Sequence, residues 1–246
     1  MTVEIFSPDK RTVCAKRVVQ AGNLNFNKIY LLPIPSSKDG VHINGTDLQL
    51  LDIAAVSGDA IICYGIPDEI YGTFVKRGVS VYDAERDEDF LVRNAVLTAL
   101  GVIGDIITEK NKSPEEVSFG IIGYGRIGKV LLKYLYFLGA TPTVYTTRDS
   151  VLVELGSIGV NAKLLSESDL SDMDVIINTA PTHILDKEDT ERLIAAGTTV
   201  FDLASGDNFG LCQAVVKLMS VPGKVYPESA GKSYGEMAIK YFSNTK

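Results

Sequence analysis

The sequence predicts an α/β protein: a doubly wound parallel sheet of the Rossmann type, plus a smaller α/β domain at the amino terminus. Three observations predict it. Short apolar runs recur along the chain, each bounded by Gly, Pro, Ser or Asp, as strands buried on both faces are. The stretches between them are long enough to cross over a sheet, and several carry helical spacing. One run, Val117 to Ile122, leads straight into Gly123-Tyr-Gly-Arg-Ile-Gly128 and then into an amphipathic segment from Ile127 to Leu138.

Taken in order, Val3 to Phe6, Ile29 to Ile34, Ala60 to Tyr64 and Val79 to Tyr82 are the strands expected of the small domain, residues 1–87. The acidic stretch Asp83 to Asp89 opens a long helical pattern that runs to about Glu109 and stops at Lys110-Asn-Lys-Ser-Pro114. This connector helix begins the second domain, residues 88–225. After the glycine turn that domain continues through strands at Thr143 to Thr146, Asp174 to Asn178 and Thr199 to Leu203. Helices are expected near Ser150 to Gly156 and Lys187 to Ala196. The last segment, residues 226–246, has helical spacing from Lys232 to Phe242 and is expected to fold back toward the first domain.

Composition narrows the functional classes. The chain has 246 residues and is 46% hydrophobic, ample for buried cores, with a net charge of −7. It lacks the basic face that a nucleic acid or an anionic membrane would require. No signal-like basic start and no apolar run of membrane-spanning length stands out, so a cytoplasmic protein is expected. Cys14, Cys63 and Cys212 are odd in number and far apart, which suggests neither a disulfide framework nor a metal site; Cys63 reads as a core residue.

The glycine spacing carries the chemistry. Gly123 permits a tight turn, Gly125 lets backbone approach a pyrophosphate, Gly128 lets helix pack on strand, and the helix N-terminus then faces the anion. With Arg126 and Ile127 these glycines form the candidate cofactor turn; a ligand-free glycine turn is the alternative. In NAD-binding versions an acid ends the second strand, roughly 20 residues further on. Here Thr146, Thr147 and Arg148 stand there, and hydroxyls with a guanidinium suit a 2′-phosphate. NADP is therefore expected, with NAD kept open by Asp149 and a plain surface charge as the other reading of Arg148. Asn178, Thr179, Ala180 and Pro181 end a later strand and are candidate cofactor contacts, or else an ordinary strand-to-helix turn.

Several motifs converge on one family. Leu31-Leu-Pro-Ile-Pro35 with Gly40-Val-His-Ile43, Ile61 to Gly65, and Asn94-x-x-x-Thr98-x-x-Gly101 stand in the first part. The glycine turn, Ile176-Ile-Asn-Thr-Ala-Pro181 with Ile184-Leu185, Asp202-Leu-Ala-Ser205, and Pro222-Gly-Lys-Val-Tyr-Pro227 with Ser229-Ala-Gly231 follow. In order and spacing, from about Ile29 to the end, the chain resembles the NAD(P)-binding subunit of dipicolinate synthase. The resemblance implies the architecture of D-2-hydroxyacid dehydrogenases and oxidation of dihydrodipicolinate to dipicolinate with NAD(P), alongside a second synthase subunit, during sporulation. It also implies a homo-oligomer associating through the connector helix and the C-terminal segment.

Three departures stand against it. Leu100 replaces the family's glutamate, Gly206-Asp-Asn-Phe-Gly210 replaces its Pro-Gly-Gly continuation, and the first ~28 residues lack the glycine-rich strand-turn-helix, so the first domain is expected to be trimmed. A diverged dehydrogenase for another small carboxylate, or a non-catalytic nucleotide-binding subunit, are therefore the competing readings.

A small dicarboxylate needs two anion-binding patches in the cleft expected between the domains. Ser36 and Ser37, with Lys38, form one candidate, a solvated loop being the alternative. Asn94 and Thr98 form another with Gly101, on one helix stripe that a close helix contact would equally explain. Ser205 is read as a donor to nicotinamide or substrate, or as a helix cap. His183 is the weak candidate for an acid or base, and His42 reads as half-buried strand. The segment after Asp202 carries no arginine, so no Arg, Glu, His triad can be assembled, and no metal cluster is visible.

Overall fold

A computed structural model describes residues 1–244, which divide into two compact units. The first comprises Met1–Asn94 and the chain from Pro222 onward, the second Ala95–Val221. The divisions thus fall after Asn94 and before Pro222 rather than at 87/88 and 225/226. Packing explains the first shift, since Phe90 and Leu91 bury against the core of the first unit.

The first unit is a four-stranded parallel sheet in the order β1-β2-β3-β4. Its strands are β1 (Thr2–Ile5), β2 (Lys28–Leu31), β3 (Ala60–Cys63) and β4 (Ser80–Asp83). Alternation of side chains divides β2 between two cores. Ile29 and Leu31 pack with Tyr234, Met237 and Phe242, whereas Tyr30 and Leu32 pack with Ile61, Cys63 and Phe74. The amino-terminal expectation needs correction: β1 is followed by a full helix, α1 (Lys10–Ala21), so the strand and helix are present and only the glycines are missing. Asp9 does the work of the turn by capping α1, accepting the Thr12 N–H at 3.0 Å. A second helix, α2 (Asp68–Lys76), also carries no marker that the sequence made plain.

The glycines of the last helix, α8 (Pro227–Asn244), are explained by α1. A Cβ on Gly231 would lie 2.3 Å from the Arg11 carbonyl oxygen, and one on Gly235 would lie 2.8 Å from Val18 Cβ. Only backbone fits at that spacing, and the two helices pack face to face through it.

The second unit is a six-stranded parallel sheet in the order β10-β9-β8-β5-β6-β7. It comprises β5 (Phe119–Ile122), β6 (Thr143–Thr146), β7 (Ala162–Leu164), β8 (Val175–Asn178), β9 (Thr199–Asp202) and β10 (Val216–Lys217). Strands β7 and β10, short and only partly buried, were not expected. Helices α4 (Arg126–Phe137), α5 (Asp149–Ser157) and α6 (Lys187–Ala195) follow β5, β6 and β8. The chain winds from β5 through β6 to β7, then returns to the other side of β5 for β8, β9 and β10. That reversal is the doubly wound topology expected, and it opens a crevice at the carboxyl ends of β5 and β8.

Helix α3 (Glu88–Lys110) corrects another expectation, for its 23 residues are long and apolar enough, by length and composition, to cross a membrane. Ala99, Val102, Ile103 and Ile106 instead lie in the core of the second unit. The remaining helix, α7 (Val221–Val225), is a single short turn at the division between units.

Candidate functional site

Each glycine of the turn has a separate physical job. Gly123, at φ +94°, takes a left-handed conformation, and its N–H donates to the Tyr145 carbonyl at 2.9 Å. A Cβ on Gly128 would lie 2.2 Å from the Gly123 carbonyl oxygen, so the start of α4 touches the turn only because Gly128 has no side chain. Gly125 is the opposite case: a Cβ there would meet nothing within 4 Å. It stands at the N-cap of α4 and contributes no capping side chain. The first-turn N–H groups of α4, which have no intrahelical partners, therefore border open space.

That space is a cavity of about 240 Å³. Gly123, Tyr124 and Gly125 line one side, Tyr145, Thr146, Thr147 and Arg148 another, and Thr179, Ala180, Pro181 and Thr182 the third, with Leu165 at the edge. Larger hollows, about 560 and 570 Å³, lie in the first unit around Tyr71, Val81 and Tyr241; the first borders the start of α3, where the Asp87 carboxylate already accepts the Phe90 N–H. Volume alone does not mark a site; the placement of donors does.

The end of β6 is polar and lacks an acid. Thr146 is buried and its hydroxyl accepts the Arg148 N–H at 3.2 Å, while Thr147 and Arg148 are exposed. Arg148 has no ion-pair partner among the described residues. Asp149 begins α5 and so lies beyond the strand end.

The end of β8 is built by an amide network that the sequence did not announce. Asn178, expected to touch cofactor, is fully buried: Nδ2 donates to the Ala180 carbonyl at 3.0 Å and to Asp202 Oδ1 at 2.9 Å, and Oδ1 accepts the Ala180 N–H at 3.0 Å. Its amide is spent on shaping the Thr179 to Pro181 turn. Asp202, also fully buried, accepts from Asn208 Nδ2 at 3.2 and 3.1 Å and from the Ala204 N–H at 3.2 Å, with Lys217 Nζ 3.5 Å away. Asn208 explains the unusual loop at 206–210, because its carbonyl also accepts the Ile184 N–H at 2.8 Å. Thr179 closes the other edge, donating its hydroxyl to the Ile122 carbonyl at 3.0 Å.

Gly123, Gly125, Thr146, Thr147, Arg148, Thr179, Ala180 and Pro181 thus come together around one cavity, with Gly128 packed beneath the turn and outside the wall. Arg126 is exposed and Ile127 packs against the core, so neither side chain lines it. Tyr124, Tyr145, Leu165 and Thr182 line it and were missed; Leu165 follows β7, a strand too polar to stand out. The Tyr145 hydroxyl is buried without a partner.

Other candidates fall elsewhere. His183 is exposed, outside the cavity wall, with Nε2 3.1 Å from Asp186. His42 is also exposed rather than half-buried, its Nδ1 2.7 Å from Asp39 Oδ2. That bond and the backbone N–H groups of His42 and Val41 hold the Asp39 carboxyl well below the usual range. Ser36 is fully buried, donating to the Pro33 carbonyl at 3.0 Å and accepting the Tyr64 N–H at 2.7 Å. Ser37 is likewise engaged, with Asp39 and the Gly40 N–H. These serines tie their own loop, which removes them as ligand donors. Asn94 is half-buried, Thr98 buried, and neither is free of partners. Ser205 is exposed and begins no helix, so the cap reading fails and its hydroxyl stays open. No group of three or more metal-binding side chains is found among the described residues.

The cavity fits a dinucleotide pyrophosphate: backbone donors face it, Gly125 leaves it clear, and the switch point of the sheet lies beneath. Neither a family model nor a curated protein matches the chain. Solved structures do. Dipicolinate synthase from Bacillus subtilis has a TM-score of 0.76 at 17% identity, covering 99% of this chain and 96% of that one. Its counterpart from Bacillus halodurans has a TM-score of 0.77 at 20% identity, covering 98% and 97%. Transhydrogenase from Sinorhizobium meliloti has a TM-score of 0.62 at 16% identity, covering 98% and 91%. Such coverage leaves no room for the trimmed first domain expected from the sequence. At these identities the likeness is one of architecture: the chain has the fold of these dipicolinate synthase chains, shared more distantly with the transhydrogenase, with an L-alanine dehydrogenase and with a D-lactate dehydrogenase from Escherichia coli.

Proposed function

We propose that the protein is an NADP-dependent oxidoreductase that oxidises dihydrodipicolinate to dipicolinate. The observation that carries the reading is the open space over Gly125 at the switch point, walled by Thr147 and Arg148 where a diol-binding acid would stand. The fold likeness adds the substrate class. When bound, the nicotinamide cofactor accepts the hydride that leaves the dihydropyridine ring. The turn from Gly123 to Gly128 binds the pyrophosphate through backbone N–H groups, Arg148 and Thr147 take the 2′-phosphate, and the Thr179 to Pro181 turn holds the far edge. Ser205 offers its open hydroxyl to the nicotinamide or the substrate. Asn94 and Thr98 belong to this reading as polar groups on the substrate side. A cytoplasmic homo-oligomer, working with a second synthase subunit, completes it.

Calorimetric titration with NADPH and NADH, then turnover of dihydrodipicolinate with and without the second subunit, tests the reading. NADPH should bind more tightly, and equal affinities would remove the NADP assignment. Leu100 and the loop pinned by Asn208 favour one rival, a dehydrogenase for another small carboxylate. It gains if NADPH binds but dihydrodipicolinate does not turn over. Cofactor binding with no turnover of any small carboxylate would indicate a nucleotide-binding subunit that has lost the chemistry.

A further inference from the structure

Among the described residues Arg11 is the one buried lysine or arginine, 7% exposed. Its guanidinium has five donors. One hydrogen bond is made, from Nη2 to the Ile34 carbonyl, and Nε is buried with no acceptor. No acid forms an ion pair with it among the described residues. The nearest in sequence, Asp9, has both oxygens turned to Thr12, at 3.0 Å to the N–H and 2.6 Å to the hydroxyl. Burial pulls the Arg11 pKa down, and Asp9, Tyr234 and Tyr64 only partly oppose that. A buried cation without a counter-charge is costly, and a bound anion would remove the cost.

The surroundings suit a ligand. Ile34 follows β2 and Tyr64 follows β3, so the guanidinium lies at the carboxyl ends of the first unit's strands, where open parallel sheets receive ligands. Gly223 packs against one side of it: a Cβ there would lie 3.2 Å from both Cζ and Nη1 of Arg11, closer than an ordinary contact, so a residue without a side chain stands beside the fork. A planar fork with a single positive charge matches the two oxygens and single negative charge of one carboxylate.

We propose that Arg11 is the receptor for a carboxylate of the substrate, an anion site built from residues of the first unit. The proposal rests on the reading above only for the identity of the ligand. The test is calorimetric, on the full chain, with pyridine-2,6-dicarboxylate, its neutral diamide and NADPH, for the parent, Arg11→Lys and Arg11→Leu. The dicarboxylate should bind and raise Tm in the parent and the diamide should not. Arg11→Leu should weaken dicarboxylate binding by at least about tenfold, the loss of one charge-assisted contact. Arg11→Lys, which keeps the charge without the fork, should fall in between. The NADPH-induced rise in Tm should survive in both variants, showing that they fold. If Arg11→Leu does not fold, Arg11→Lys decides: unchanged affinity overturns the proposal. So does parent-like affinity in a folded Arg11→Leu, or no dicarboxylate binding to the parent. Absence of any NADPH response in the parent would instead sink the cofactor reading, leaving the dicarboxylate arm to be judged by itself.

Discussion

The two parallel sheets of this chain differ at the ends where ligands would be expected. In the second unit the winding reverses at β5, and the chain's own side chains stay out of the crevice this creates: a Cβ on Gly125 would touch nothing within 4 Å. In the first unit the strands follow in sequence order with no reversal, and the loops after them bind themselves, Ser36 to Pro33 and Tyr64, Ser37 to Asp39 and Gly40. One site is made by what backbone leaves open, whereas the other, if Arg11 holds an anion, is made by a charge that nothing in its own unit neutralises. Each sheet also ends a strand in a buried aspartate that organises loops. Asp83 accepts the Gly65 and Glu85 N–H groups at 2.8 and 3.0 Å, as Asp202 accepts from Asn178, Asn208 and Ala204.

The largest effect should come from removing the aspartate beneath the crevice. Asp202→Ala takes the ion-pair partner from Lys217 and one acceptor each from the buried amides of Asn178 and Asn208 and from the Ala204 N–H. We expect a loss of about 2–3 kcal/mol in denaturant unfolding, the scale of lost hydrogen bonds to a buried charged group. Cofactor binding should weaken as well, because Asn178 holds the Ala180 turn. Destabilisation under about 1 kcal/mol would show that the loops do not depend on this network.

The glycines offer a sharper division. Gly128→Ala forces a methyl to 2.2 Å from the Gly123 carbonyl, and overpacking of that kind costs about 1–3 kcal/mol. Gly125→Val should leave Tm of the free protein within a degree or two, since its side chain enters open space, yet weaken NADPH by roughly 1.5–3 kcal/mol as backbone contacts to the pyrophosphate are displaced. Thermal unfolding with and without NADPH separates the two. If Gly125→Val still gains stability from NADPH as the parent does, the turn is not the cofactor site.

What could be read from the residues divides along the same line. The turn was legible because glycines report backbone geometry, and geometry is local. The β5 and β8 strands were legible because four consecutive buried residues in each leave an apolar run. Strands β7 and β10 were not, since they carry lysines and partly buried positions at the sheet's edges. Side-chain destinations were the least legible. Ser36, Asn178 and Asp202 look alike in sequence, polar residues after or at strand ends, yet all three turn inward because loops packed over them must satisfy their backbone groups. Arg11 escaped notice for the converse reason, because its burial depends on α8, more than two hundred residues away.

Charge at the mouth of the crevice should matter less than its floor. Arg148→Ala should cost NADPH about 1.5 kcal/mol, the lower end for a charge-assisted contact because the side chain is exposed, and leave NADH unchanged. Parallel titrations of both cofactors measure the difference. An equal loss for the two would assign Arg148 to a group that they share rather than to the 2′-phosphate.

The smallest effect tests the opposite edge of the same sheet. Before β5 and β8, Asp174 Oδ2 accepts the Ser118 N–H at 2.8 Å and its hydroxyl at 2.7 Å, and those two bonds hold the Asp174 carboxyl below its usual range. A carboxylate depressed by folding adds stability that is fully present above its unfolded pKa, about 3.9, and is lost as pH falls through the lower folded value. Solvent at this edge limits the contribution to under about 1 kcal/mol at neutral pH. Asp174→Ala should therefore lower Tm slightly at pH 7, and the parent and variant should converge as the pH falls below 4. NADPH affinity should not change at any of these pH values, because the amino ends of the strands brace the sheet while the carboxyl ends hold the ligand. A variant that lost cofactor here as readily as stability would break the separation between the two edges.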